Sequence, residues 1–152
     1  MRNSLKIIAA IFIIVISTPS VSAQTTKIAV AIAIQKSNCG YGSDDLGYQV
    51  MYGGDNSHYD LETKGKAKLK ETSSYNNRIS STYAVSNNSK GDYLVIIIAK
   101  VPYSSCSTSV YGIGYGNNSI EATEDAVANL KTRNWSWSNS KHGYKIELKK
   151  QL

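Results

Sequence analysis

The alternation of apolar and polar positions divides much of the chain into strands and helices. Large aliphatic residues at every second position from Ile28 to Ile34 alternate with alanines, which predicts a strand with bulky side chains on one face. The other face carries only Ala, so a packed helix can approach it closely. The run Leu94–Ile98 is apolar at every position and predicts a central strand that is covered on both faces.

Turn and capping signals place the remaining elements. Gly53-Gly54-Asp55-Asn56 breaks a strand pattern, and Asn56 or Ser57 can cap the helix that follows. Glu121 comes three residues after Asn118, as a capping box requires. The predicted elements are, in order, strands over 27–35 and 46–52, a helix over 57–71, strands over 79–85, 93–100 and 109–115, a helix over 120–131, a loop over 132–141 and a strand over 144–149.

Both halves of the chain have the same predicted order of strand, strand, helix and strand. The two units span residues 27–86 and 93–149, and the first strand of each leads to a Cys. Connections this short favour antiparallel neighbours. The sequence therefore predicts an α+β fold from a duplicated β-β-α-β unit, with a mainly antiparallel six-stranded sheet and two helices on one face. Chance similarity between two short stretches is the alternative.

Residues 1–23 have the order of a cleavable export signal. Arg2 and Lys6 provide the positive start, Ile7–Ile16 is an uncharged apolar run, and Val21-Ser22-Ala23 precedes the expected cleavage point. A membrane anchor is the alternative, but a spanning helix needs about 20 apolar residues. We therefore expect one extracytoplasmic domain over 24–152, periplasmic or secreted, with no membrane span after cleavage. The abundance of Asn, Ser, Lys and Ile is typical of a bacterial chain.

Removal of the signal changes the composition that matters for function. The formal charge falls by two, from +6 to +4, and the single Phe leaves as well. A small, dispersed positive charge gives no reason to expect a nucleic-acid partner, and the lysines between 64 and 70 are expected to be a solvated surface. Eleven Tyr and two Trp form the whole aromatic inventory of the exported part.

The two cysteines are predicted to pair. Cys39 and Cys106 lie at matching points of the two halves, and cysteines in an exported chain usually form disulfides. Two alternatives use the same sulfur atoms: a Cys nucleophile activated by a His, and a metal site completed by His58 and His142. Neither has a short spacing that prepares a site, so no catalytic residue and no metal ligand is assigned.

No cofactor motif is convincing either. Gly112-Ile113-Gly114-Tyr115-Gly116 lies between a strand and a helix, but a dinucleotide loop requires a third Gly where this chain has Asn117. We expect Gly112 and Gly114 instead to remove side chains where a helix packs on the strand. No cofactor is predicted. Two acidic pairs, Asp44-Asp45 and Glu124-Asp125, are interpreted as loop and helix-surface charges.

The aromatic residues are the candidate binding site. Trp135 and Trp137 are two residues apart in a polar loop, and an extended segment would point both the same way. Tyr52, Tyr111 and Tyr115 precede the two helices. Tyr and Trp suit wet binding surfaces, although a chain without Phe must also use them in its core.

The absence of a chemical motif and the abundance of Tyr favour a non-enzymatic binding domain. The expected partner is a protein or a cell-envelope polysaccharide. One alternative is an inhibitor or immunity-type protein directed at a secreted enzyme, and another is a small secreted hydrolase. A structural role in an assembly would appear as self-association.

Overall fold

The computed structural model describes residues 26–152, apart from positions 40, 41, 73, 89 and 104. The predicted export signal therefore lies outside the described residues. The fold is α+β, as predicted, and all strand pairs are antiparallel. The elements are β1 (Ile28–Lys36), β2 (Ser43–Tyr52), α1 (His58–Glu71), β3 (Ser81–Ser86), β4 (Tyr93–Tyr103), β5 (Cys106–Gly116), α2 (Ser119–Arg133), α3 (Asn139–His142) and β6 (Lys145–Gln151).

The strands form two three-stranded sheets, in the order β2-β1-β3 and β5-β4-β6. The prediction of a single six-stranded sheet is corrected on this point. β2 and β5 are neighbours, but Asp44 and Asp45 of β2 accept hydrogen bonds from the backbone of β5 through their carboxylates. Side chains therefore occupy the junction where a backbone ladder would have joined the sheets.

The inner faces of the two sheets pack against each other and form the central core. Each fully buried Ile or Leu there contributes about 1.5–3 kcal/mol relative to an exposed one. The large aliphatic face predicted for β1 is one side of this core, and even-numbered positions of β4 provide the other. The fully buried aliphatic members are Ile28, Val30, Ile32, Leu94, Ile96 and Ile113.

Helix α1 covers the outer face of the first sheet. Its buried residues Leu61, Gly65 and Leu69 face β1 on the side that carries only Ala. A Cβ at Gly65 would lie 3.0 Å from the Cβ of Ala31, so the small residues on both elements set the distance of approach. Ser57 caps the helix and forms a capping box with Asp60.

Helix α2 covers the outer face of the second sheet, and the fold therefore has four layers. The prediction that both helices lie on one face is wrong, because each sheet has its own outer face of small residues. On β5 that face is provided by Gly112, Gly114 and Gly116, and α2 packs directly on them. Asn118 caps α2, as predicted. Among the described residues, none of the helices combines the length and hydrophobicity that a membrane crossing needs.

The two halves have equivalent architectures. In each sheet the first strand of the half is central, the second and third strands flank it, and the helix follows the second strand. Origin by duplication stays a prediction. The predicted loop over 132–141 differs from the expectation, because α2 extends to Arg133 and α3 forms a short turn of helix inside it.

Substitution of Gly114 by Ala is expected to lower the free energy of unfolding by about 3 kcal/mol. A Cβ there would overlap the backbone of α2 at Ala122 and Ala126, which cannot move without shifting the helix. Chemical denaturation of the two proteins measures the difference. Gly54→Ala is the matched control, since nothing lies within 4 Å of its Cβ position. Equal losses for the two variants would contradict close packing of α2 on β5.

Candidate functional site

The predicted disulfide between Cys39 and Cys106 is confirmed. The two Cα atoms are 5.7 Å apart, and the residues are separated by 67 positions in the sequence. The bond joins the connection after β1 to the first residue of β5, so it ties the two sheets together. Both sulfur atoms are used, which leaves no free thiol in the chain for the nucleophile or the metal site considered above.

The two His residues have structural partners. His58 Nε2 is 2.8 Å from the side-chain oxygen of the fully buried Asn87, at the start of α1. His142 Nδ1 accepts a hydrogen bond of 3.0 Å from the backbone N–H of Ser138, at the end of α3. Within the described residues, no group of three His, Cys, Asp or Glu side chains could hold a metal ion.

Two of the five predicted aromatic binding residues belong to the core. Trp137 is 3% exposed, packs on the outer face of β4 and donates its indole N–H to the carbonyl oxygen of Gly143 at 3.0 Å. Tyr115 is buried between the sheets, and its hydroxyl donates to the carbonyl oxygen of Val85 at 2.9 Å. The interpretation of both as binding residues is corrected.

The reason for the error at Trp137 is the backbone between the two Trp residues. The prediction assumed an extended segment, in which residues two apart point the same way. The chain instead forms a turn in which the N–H of Trp137 donates to the carbonyl oxygen of Asn134 at 3.1 Å. Trp135 therefore points outward while Trp137 points inward.

The other two tyrosines already interact with neighbouring side chains. Tyr52 is 47% exposed, and the ammonium group of Lys150 lies 4.6 Å from its ring centre and donates to its hydroxyl. Tyr111 packs edge-to-face on Tyr48, with ring centres 5.4 Å apart. Burial, and secondarily the negative charge of Glu147, raises the pKa of Tyr111 to about 12. Neither tyrosine lies in the cleft that contains Trp135.

Trp135 is the most exposed large hydrophobic residue of the described fold, at 91%. It borders a cleft of about 130 Å³, whose other walls include Ser43, Tyr103, Arg133 and Asn134. We call these five residues the Trp135 surface. The cleft lies beside the disulfide, since Ser43 begins β2, and Tyr103 ends β4 opposite Cys106.

The turn that presents Trp135 is held by its own hydrogen bonds. The side-chain oxygen of Asn134 accepts from the hydroxyl of Ser136 at 2.7 Å and from its backbone N–H at 3.2 Å. The hydroxyl groups of Ser136 and Tyr103 are 3.1 Å apart, which links the turn to β4. Trp135 is therefore displayed on an ordered support, and binding there needs little ordering of the backbone.

A polar network next to this cleft was missed by the sequence prediction. Alternate N–H groups of β5, on the side away from β4, donate to side-chain oxygens from β2 and α2. The pairs are Ser109 to Asp44 at 2.6 Å, Tyr111 to Asp45 at 2.8 Å, Ile113 to Asn129 at 3.1 Å and Tyr115 to Asp125 at 3.0 Å. The interpretation of Asp44, Asp45 and Asp125 as loop and surface charges is corrected.

The helix can follow the strand edge because their repeats match. Four residues of helix rise about 6 Å, and two residues of an antiparallel strand rise about 6.8 Å. On α2, three polar residues are spaced four positions apart: Asp125, Asn129 and Arg133. They bond, in that order, the backbone of Tyr115, Ile113 and Tyr111 of β5, which are spaced two positions apart. That i, i+4, i+8 polar stripe was visible in the sequence and was the available signal. The edge of β5 is thereby closed to pairing with another chain.

Arg133 completes the network and also borders the cleft. Its two terminal nitrogens bond the two carboxylate oxygens of Asp45 at 2.8 and 2.9 Å, and Nη1 also donates to the carbonyl oxygen of Tyr111. The guanidinium lies 4.7 Å from the ring centre of Tyr83. One side chain therefore contacts β2, β3 and β5, and it fixes the wall of the Trp135 surface to both sheets.

Comparison with protein-family models, with curated proteins and with solved structures gives no match for this chain.

Proposed function

We propose that this protein is a non-enzymatic binding domain that is exported from the cytoplasm and engages a protein partner through the Trp135 surface. The observation that carries the proposal is the 91% exposure of Trp135 on an ordered turn. The chain has only two Trp residues, and the other one is buried. Leaving the larger part of an indole in water costs free energy that a partner could recover.

The neighbours of Trp135 favour a protein partner over a polysaccharide. Energetically dominant residues of protein interfaces are enriched in Trp, Tyr and Arg, and this surface combines Trp135, Tyr103 and Arg133 around a small cleft. Because Arg133 is already held by Asp45, it offers a pre-ordered wall and pays little entropy on binding. An inhibitor or immunity-type protein is the special case in which the partner is an enzyme.

Export is supported by the disulfide. Such bonds persist in oxidising compartments and are rare in the cytoplasm, which agrees with the leader predicted over residues 1–23. A role outside the cytoplasm also supports a partner among envelope or secreted proteins.

Trp135→Ala is expected to weaken binding about 30-fold, which corresponds to a hot-spot loss of about 2 kcal/mol. Binding of the exported protein to a solubilised envelope protein fraction, before and after protease digestion of that fraction, measures this effect. Thermal unfolding should be nearly unchanged, because Trp135 makes few contacts within the fold.

Tyr59→Ala is the matched control, since Tyr59 is a 76% exposed aromatic residue at the start of α1, outside the cleft. Its affinity should equal that of the unaltered protein. Equal affinities for the Trp135 variant and the unaltered protein would contradict the proposal. Binding that survives protease digestion and is retained by purified envelope polysaccharide would replace the protein partner with a glycan.

A further inference from the structure

Strand β4 is longer than its neighbour β6. Pairing between the two ends at Ile98 and Lys145, whereas β4 continues to Tyr103 and is paired with β5 along its whole length. One side of β4 beyond Ile98 is therefore without a strand partner in the described fold. A groove of about 540 Å³ lies there, between β4 and the segment from His142 to Glu147.

The backbone of Lys100 faces this groove. Lys100 pairs with Ser109 of β5, and the N–H of Ser109 donates to Asp44, so it points away from β4. Two residues directly opposite each other in an antiparallel pair either both direct their N–H and C=O groups toward the partner strand or both direct them away from it. The N–H and C=O of Lys100 therefore point away from β5, and they have no hydrogen-bond partner among the described residues.

Gly143 would be the next residue of β6 to pair with Lys100, but it leaves the sheet. It is the C-cap of α3, and its φ of 62° turns the chain from that helix toward β6. Its N–H donates to the carbonyl oxygen of Asn139, and its own carbonyl accepts the indole N–H of Trp137, both at 3.0 Å. Because both backbone groups of Gly143 are used elsewhere, Lys100 is left available.

The side chains around the groove favour an anionic group. Lys100, Lys145 and His142 line it, and the carboxylate of Glu147 is 3.4 Å from the ammonium group of Lys145. Because His142 Nδ1 accepts the Ser138 N–H, the ring hydrogen is on Nε2, where it is a donor. The groove therefore has more cationic and donor groups than acceptors.

The available strand edge is short. Pro102 is the next residue of β4 whose backbone nitrogen points to this side, and it has no N–H to donate. An added peptide segment could form hydrogen bonds to both backbone groups of Lys100. At Pro102 it could bond only the carbonyl oxygen. A long strand running through the groove would therefore gain few additional hydrogen bonds, whereas the end of a chain is long enough to use all the available backbone groups.

We propose that this groove binds the C-terminal end of a peptide, with one of its last residues paired to the backbone of Lys100 and the terminal carboxylate held by Lys100, Lys145 and His142. The mode is strand addition limited to a chain end. The site is separate from the Trp135 surface and does not depend on the function proposed for that surface.

The probe is acetyl-trialanine with a free carboxylate, added to the ¹⁵N-labelled exported protein and followed by NMR. We expect the amide signals of Lys100, His142 and Lys145 to shift, with a dissociation constant on the order of 1 mM. The same peptide with a C-terminal amide should bind at least about fivefold more weakly, because the charge-assisted contacts are lost.

Lys100→Gln should weaken binding of the free acid about fivefold, since the lost contact is partly solvated. Lys68→Gln, which removes an exposed Lys from α1, should leave it unchanged. Any of three results would overturn the proposal: no shift of these signals at about 10 mM peptide, equal binding of acid and amide, or equal binding of inorganic phosphate, which would indicate a simple anion site.

Discussion

Arg133→Met is expected to lower the free energy of unfolding by about 4 kcal/mol, because it leaves a buried carboxylate without its cation. The side chain of Asp45 is 1% exposed, and that of Arg133 is 12% exposed. Without the guanidinium, the N–H of Tyr111 is the one donor to the Asp45 carboxylate that remains among the described residues. The Tyr111 carbonyl and the Tyr83 ring lose a partner as well. Denaturation by urea, monitored by Trp fluorescence and far-ultraviolet circular dichroism, measures the loss.

The double variant Asp45→Asn/Arg133→Met separates the charge from the packing. Asn keeps an oxygen that can accept from Tyr111, and it removes the unpaired negative charge. We expect the double variant to be more stable than Arg133→Met alone by about 2 kcal/mol. Arg78→Met is the matched control, since Arg78 is exposed and its guanidinium bonds, among the described residues, only the side chain of Gln35. Its cost should be about 1 kcal/mol or less. Equal stabilities for the Arg78 and Arg133 variants would show that the network is not a major tie between the sheets.

The elements that could be predicted from the sequence are those determined by local pattern. The period-two alternation in β1 and the apolar run in β4 depend on neighbouring residues, and both predicted strands are present. The Ala face of β1 and the Gly face of β5 were correctly interpreted as helix contacts, because a missing side chain limits what can pack there. The disulfide was predictable because Cys39 and Cys106 occupy equivalent positions in two similar halves.

What the sequence could not provide is the arrangement of the two halves. Whether β2 and β5 join by a backbone ladder depends on bonds between side chains of β2 and backbone N–H groups of β5, which are 65 and 66 residues apart along the chain. Acidic residues near the start of a strand are usually solvated, so nothing local marks Asp45 as buried. The polar stripe of α2 was visible, but its target, the free edge of β5, exists only after the sheet has formed.

The candidate site was predictable only in part, for a related reason. Trp135 and Trp137 have similar neighbours in the sequence, and one hydrogen-bonded turn decides which of them reaches water. The groove at Lys100 was not predicted at all. It arises because β6 begins only at Lys145, opposite Ile98, and leaves the rest of β4 without a partner on that side. The start of β6 is set by the turn at Gly143.

Replacement of both Cys39 and Cys106 by Ala is expected to cost about 4 kcal/mol of the free energy of unfolding. The bond closes a loop of 67 residues, and the chain-entropy model gives about that value for such a loop. Since the whole stability of a domain this size is about 5–15 kcal/mol, the midpoint of thermal unfolding should fall by about 15 °C. Thermal scans with and without a thiol reductant measure this. The midpoint temperature of the unaltered protein should fall to that of the variant only when its disulfide is reduced. A variant that unfolds at the same temperature as the oxidised protein would contradict the prediction.

The same variant tests whether the disulfide supports binding as well as stability. Two residues that border the cleft beside Trp135 lie near the disulfide. Ser43 follows Cys39 by four residues in the chain, and Tyr103 lies on β4 opposite Cys106. Breaking the bond frees the connection after β1, so we expect affinity at the Trp135 surface to fall about tenfold at a temperature where the variant is still folded. The groove at Lys100 is built from β4, α3 and β6, which the bond does not hold, and its affinity for acetyl-trialanine should be unchanged. Equal losses at both sites would instead indicate general loosening of the fold. Combined with Arg133→Met, removal of the disulfide takes away two ties between the sheets, together about 8 kcal/mol, and we expect the midpoint of thermal unfolding to fall by about 30 °C.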